Sequence, residues 1–188
     1  MKMYDKIIKI VDANLILCLI PMIFTLILIE LMFKNIFSTK KVLRIISWII
    51  LIYTLVIFLY FIIGFTVSPN EFSFIHRATG PYKTMYWIMF FSATIFPLTL
   101  LIKRLSSNFW YVLLVAFLMK VGVYFEHFVI VTTSIHRDYG PENQTSDLLN
   151  LWTYGILMVV LQGFVIVTLT LGILKIIERK KQYRLRVN

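Results

Sequence analysis

The chain has 188 residues, 60% of them hydrophobic and 15% charged, against roughly 45–50% and 25% in soluble globular domains. That balance excludes an ordinary soluble fold and a disordered chain, and the single cysteine, Cys18, excludes a disulfide scaffold. The formal charge of +10 would suit nucleic acid, but the basic residues flank apolar runs, where membrane topology accounts for them, so no nucleic-acid partner is expected.

A helix crosses about 30 Å of hydrocarbon with about 20 mostly apolar residues. Five segments satisfy this, at about 13–33, 45–67, 85–102, 109–133 and 149–174. None alternates in polarity as a barrel strand would. The expected fold is therefore all-α integral membrane, a single transmembrane helical domain over 1–188 with a basic tail at 175–188. The first segment follows Lys2, Lys6 and Lys9, but its apolar core exceeds the roughly 7–15 residues of a signal peptide and lacks a small-x-small cleavage site, so it reads as a retained helix. Pro21 and Pro97 are expected to kink their helices, Glu30 to snorkel toward the interface, and Trp48, Trp87, Trp110 and Trp152 to mark span ends.

Five crossings put the termini on opposite faces. Six Lys and Arg residues fall on the N-terminal side (Lys2, Lys6, Lys9, Arg77, Lys83, Arg137) and twelve on the other, six of them in the tail. The positive-inside rule then places the N-terminus outside and the C-terminus in the cytoplasm.

The outer loops, 68–82 and 134–143, each carry a His-Arg pair and a Gly-Pro turn signal. They read either as connectors whose polar groups satisfy helix ends, or as a docking surface formed by His76, Arg77, Tyr82, His136, Arg137 and Asp138 for a protein on the outer side.

The fourth segment holds the costly residues. Lys120, Tyr124 and His127 are spaced i, i+4, i+7 and share a helix face. Glu126 adjoins His127, and Gly122, one turn earlier, admits a close neighbour. An ionised group near the bilayer centre costs at least about 2.5–3.5 kcal/mol on insertion scales, so such a cluster faces a protein interior or a watery cavity. Two readings stand: a buried pairing that fixes helix packing, or a proton-linked group. No catalytic, cofactor-binding or metal site is assigned, because the three histidines do not form an intramembrane haem pair and there is no Cys-His cluster or nucleophilic set.

The run Arg77-Ala78-Thr79-Gly80-Pro81-Tyr82, followed by Tyr86-Trp87 and Pro97, then Gly122-x-Tyr124-x-Glu126-His127-Phe128-Val129-Ile130 and Ser134-Ile135-His136-Arg137-Asp138, resembles the C-terminal half of the NrfD-like (polysulfide-reductase-like) membrane subunits, in particular the ActC-type subunits of bacterial alternative complex III. The resemblance covers about residues 45–174. It implies a multi-pass protein of the bacterial inner membrane with periplasmic outer loops, in line with the charge count. It further implies a small subunit of a respiratory quinol-oxidising electron-transfer complex, whose partners are membrane lipid, other integral membrane subunits and a periplasmic-side protein. Quinol, haem and iron–sulfur groups would belong to the partner subunits, since the family's quinol-site residues lie on an N-terminal bundle with no counterpart here. Lys120, His127 and Leu98 stand where the family carries Asn, Arg and Gln. The alternative is a structural or assembly subunit of another bacterial envelope complex with no redox role.

Overall fold

A backbone in hydrocarbon satisfies its N–H and C=O groups only within a helix or a closed barrel. The computed structural model describes residues 2–33, 37–67, 79–80, 83–122, 124–125, 128, 132 and 144–187, and every regular element among them is helical. In chain order these are α1 (Lys2–Val11), a π-helical turn (Asp12–Ile16), α2 (Leu19–Met32), α3 (Thr39–Val67), α4 (Lys83–Leu98) with a closing 3-10 turn (Thr99–Leu101), the single-turn α5 (Lys103–Ser106), α6 (Phe109–Met119) and α7 (Gln144–Val187).

Four stretches are long and apolar enough to cross a membrane: Lys6–Met32, Thr39–Ile63, Lys83–Leu101 and Tyr154–Tyr183. They fall on the first, second, third and fifth expected segments. Of the fourth, 109–133, the structure gives the shorter apolar α6 and scattered residues beyond it; half of 120–133 lies outside the described residues.

Helix ends extend beyond the sequence expectation in two places. The N-terminal tail is helical, since Ile7, Ile8, Ile10 and Val11 fall on one side of a helical repeat while Lys2, Lys6 and Lys9 recur at i, i+4, i+7. The basic tail continues α7 to Val187, because no Gly or Pro follows Gly172 and Lys, Arg, Gln and Leu are strong helix formers. Each proline lies next to an irregular turn of its span. Pro21 occupies the first turn of α2, where its missing N–H has no intrahelical acceptor, and Pro97 is the penultimate residue of α4. The irregularity in the first span precedes Pro21: Leu17 N–H donates to Asp12 O at 3.0 Å, the i→i−5 bond of a π turn.

Inside the spans, threonine hydroxyls turn back on their own helices. Thr25 donates to Pro21 O at 2.7 Å, Thr54 to Ile50 O at 2.9 Å, and Thr170 to Ile166 O at 2.7 Å. A polar side chain satisfied this way can sit in an apolar setting.

The chain divides into two compact units, residues 1–46 with 139–188, and residues 47–138. In the first, α2 and α7 run parallel. Gln162 Nε2 donates to Asn14 O at 3.0 Å beside the π turn, Gly163 abuts Pro21 and the Cys18 carbonyl, and Lys175 Nζ lies 4.6 Å over the Phe37 ring. Leu19, Ile23, Leu26 and Val167 are buried along this seam. At its lower end Ser38 Oγ donates to both Glu178 carboxylate oxygens, at 2.8 and 2.9 Å, and Lys41 Nζ joins the same carboxylate. Glu30, expected to snorkel, accepts a hydrogen bond from the buried Thr39 hydroxyl.

In the second unit α4 packs against α6. Asn108 caps α6, its Oδ1 accepting from Trp110 N–H at 3.1 Å and Tyr111 N–H at 3.4 Å. The Tyr111 hydroxyl lies 2.6 Å from Thr99 Oγ1, and Ser47 Oγ donates to Ser106 O at 3.4 Å. Large apolar side chains such as Ile52, Leu59, Phe91 and Leu114 remain exposed, as the lipid-facing surface of a membrane helix would be.

Candidate functional site: a buried lysine at a helix break

The eleven residues of α6 are all apolar or aromatic and end at Met119. At Lys120 the ladder tightens: its N–H donates to Phe117 O at 3.1 Å, an i→i−3 closure, and its φ of −106° and ψ of 6° leave the helix. Tyr124 N–H then donates to Lys120 O at 3.1 Å, restoring the i→i−4 spacing. At 1.5 Å per residue the break lies about 16 Å from the start of α6.

Lys120 is only 6% exposed and is the sole charged side chain buried among the described residues. Its Nζ sits 5.8 Å from the centroid of the Tyr53 ring, in cation–π range. Beside it lies a cavity of about 290 Å³, walled by Tyr53 and Phe58 of α3, Tyr86 and Phe90 of α4, and Met119 and Lys120 at the end of α6. Thr54 and Thr94 also line it, but their hydroxyls donate to Ile50 O and Phe90 O. Gly122 is where the close approach expected from the sequence occurs. A Cβ there would come within 2.5 Å of Met89 Cε, so the methyl end of Met89 in α4 fills the space glycine leaves.

Of the residues singled out from the sequence, Lys120 and Tyr124 are placed. The Tyr124 ring stacks on Phe117, with centroids 5.5 Å apart and planes at 25°, bridging the break on the exposed side of α6. Glu126 and His127 lie outside the described residues, as do His76, Arg77, Tyr82, His136, Arg137 and Asp138. Among the described residues no group of three His, Cys, Asp or Glu side chains is placed to hold a metal ion.

Sequence reasoning missed the aromatic wall beside Lys120. Tyr53, adjoining Thr54 amid the apolar run of α3, and Tyr86 early in α4 were the available signals, but nothing in helical spacing says which helix faces which. The cavity wall joins the Lys120 side chain and the hydroxyl-bearing Tyr53, Thr54, Tyr86 and Thr94 to aromatic and aliphatic residues. Comparison of the chain with protein-family models, with characterised proteins and with solved structures finds no match.

Proposed function

We propose that the chain is a five-crossing, NrfD-like subunit of the bacterial inner membrane, with its N-terminus outside and C-terminus in the cytoplasm, serving a respiratory quinol-oxidising electron-transfer complex of the alternative complex III type. In this reading it supports or completes the membrane module and carries no redox cofactor; quinol, haem and iron–sulfur groups belong to partner chains. The observation that carries it is the buried, broken segment at Lys120, which leads directly into the motif from Gly122 to Asp138 that bears the resemblance. An intramembrane charge at irregular backbone marks a protein interior and not a lipid-facing anchor.

The parallel run of α2 and α7 supports five crossings. Two parallel spans are separated by an odd number of crossings. The helices α3, α4 and α6 with its continuation supply three, whereas α3 and α4 alone would turn α7 antiparallel to α2.

Purification from native membranes in mild detergent tests the proposal. Haem- or iron–sulfur-bearing chains should co-purify, and the complex should oxidise quinol. Recovery with envelope proteins that carry no redox centre would instead favour the structural alternative. Glu126 separates two roles within the complex. If Glu126 anchors its helix by pairing with a buried donor, Glu126→Leu should reduce assembly through a loss of about 1–3 kcal/mol, while Glu126→Gln should keep most assembly. Normal assembly with severely slowed turnover in the Gln variant would identify a proton relay instead.

A further inference from the structure

We infer that the surface formed where the first turns of α3 meet the last turns of α7 binds the phosphate of an anionic membrane lipid, with Lys40 and Arg44 on one helix and Arg179 and Lys181 on the other as its cations. The inference stands on the first unit alone and does not rest on the respiratory reading. Three observations carry it.

First, contacts far apart in sequence bring two basic stretches together. Ser38 Oγ donates to both carboxylate oxygens of Glu178, Lys41 Nζ joins them, and Lys175 Nζ lies over the Phe37 ring. The stretches 38–44 and 175–183 thus meet, with seven Lys and Arg residues and a single acid, Glu178. Second, the negative charge at hand is already used. Glu178 is held by Ser38 and Lys41, and Glu30 by the Thr39 hydroxyl. Lys40, Arg44, Arg179, Lys180 and Lys181 are exposed, and among the described residues none of their side chains has an ion-pair or hydrogen-bond partner. Lys40 and Arg44, at i and i+4, share a face of α3; Arg179 and Lys181 flank Glu178 on α7, with Lys180 on the far face. Two pairs of cations therefore lie within one helical turn of the Lys41–Glu178 bridge, with no described acid left to neutralise them. An anion is the complement, and a phosphate offers several acceptor oxygens to a lysine and to the guanidinium fork. Third, the surface lies where the apolar stretch Thr39–Ile63 begins and Tyr154–Tyr183 ends. Lipid head groups lie at that level of a bilayer the two stretches cross, and basic clusters beside membrane helices attract anionic lipid. A soluble acidic protein has no such placement in its favour.

The test uses the full chain in mixed micelles of phosphatidylglycerol and phosphatidylcholine at equal concentration, with the retained lipid read by native mass spectrometry. The chain should retain phosphatidylglycerol in preference to phosphatidylcholine. Each cation near an anionic surface is worth about fivefold in affinity, so Lys40→Gln with Arg44→Gln, and Arg179→Gln with Lys181→Gln, should each lower that preference about tenfold or more. The charge-keeping pair Lys40→Arg with Arg44→Lys should retain it, which separates a lost charge from a lost fold. Arg184→Gln with Arg186→Gln removes two charges about 9 and 12 Å further along α7 than Glu178. At about a Debye length from the bridge, that pair should lower the preference less than about threefold. Equal retention of the two lipids by the unsubstituted chain, loss of the preference in the charge-keeping pair, or a loss in the Arg184 and Arg186 pair as large as in the other two would overturn the inference. Displacement of phosphatidylglycerol by excess inorganic phosphate would overturn the assignment to lipid and point to a soluble phosphate instead.

Discussion

Two glycines face neighbours of opposite character, and the contrast sets a measurable difference. At Gly163 a Cβ would stand 3.0 and 3.1 Å from the Pro21 ring and 3.2 Å from the Cys18 carbonyl, and neither a proline ring nor a backbone oxygen can rotate aside. Gly163→Ala should destabilise the α2–α7 seam by about 1–3 kcal/mol, the range of overpacking in a filled core. At Gly122 the Cβ would meet only the methyl end of Met89, a flexible side chain that can swing into the adjoining cavity. Gly122→Ala should cost less, under about 1.5 kcal/mol. Thermal unfolding of both variants in the same micelles checks the order; a larger loss for Gly122→Ala would contradict it. Lys120 was legible at this scale because a charge inside an apolar run is costly wherever it sits. The aromatic wall beside it was not, since Tyr53 is 67 positions away in sequence and no local pattern links the two.

Helices as elements were read from composition, because about 20 consecutive apolar residues carry their own signal. Their ends depend on contacts that composition does not encode. Helix α3 starts at Thr39, ahead of the expected 45, where Thr39 is tied to Glu30 and Lys41 to Glu178. The π turn at Asp12–Ile16 sits where Gln162, 148 positions on, reaches the Asn14 carbonyl. At the start of α6 the contact is local, with Asn108 Oδ1 accepting from Trp110 N–H and Tyr111 N–H. Asn108→Ala should weaken the start of α6 by about 1 kcal/mol, within the 0.5–2 kcal/mol span of cap losses, and Asn108→Ser should recover most of it. A denaturation series on the two variants reads this directly, and equal stability of Ala and wild type would show that the cap contributes nothing. The length of α7 also belongs here. Its 44 residues extend about 66 Å at 1.5 Å per residue, roughly twice the hydrocarbon thickness, so a helical projection beyond one or both faces is built into the element.

For the whole molecule, the all-helical class and most spanning segments were visible in the sequence, while the parallel pairing of α2 with α7 was not. Gly163 against Pro21 makes that pairing possible, yet a small residue in an apolar run does not name the helix it will meet. The pairing bears on the number of crossings, and the outer loops, the inner basic rim and the membrane depth of Lys120 all depend on that number. Single cysteines introduced at Asp5, Asn143 and Lys181 and probed with a membrane-impermeant maleimide measure it most directly, with the buried Cys18 as an unreactive background. Five crossings with the N-terminus outside require Asp5→Cys and Asn143→Cys to label in intact cells and Lys181→Cys to label only after permeabilisation. Labelling of Asp5→Cys and Lys181→Cys from the same side would contradict the account.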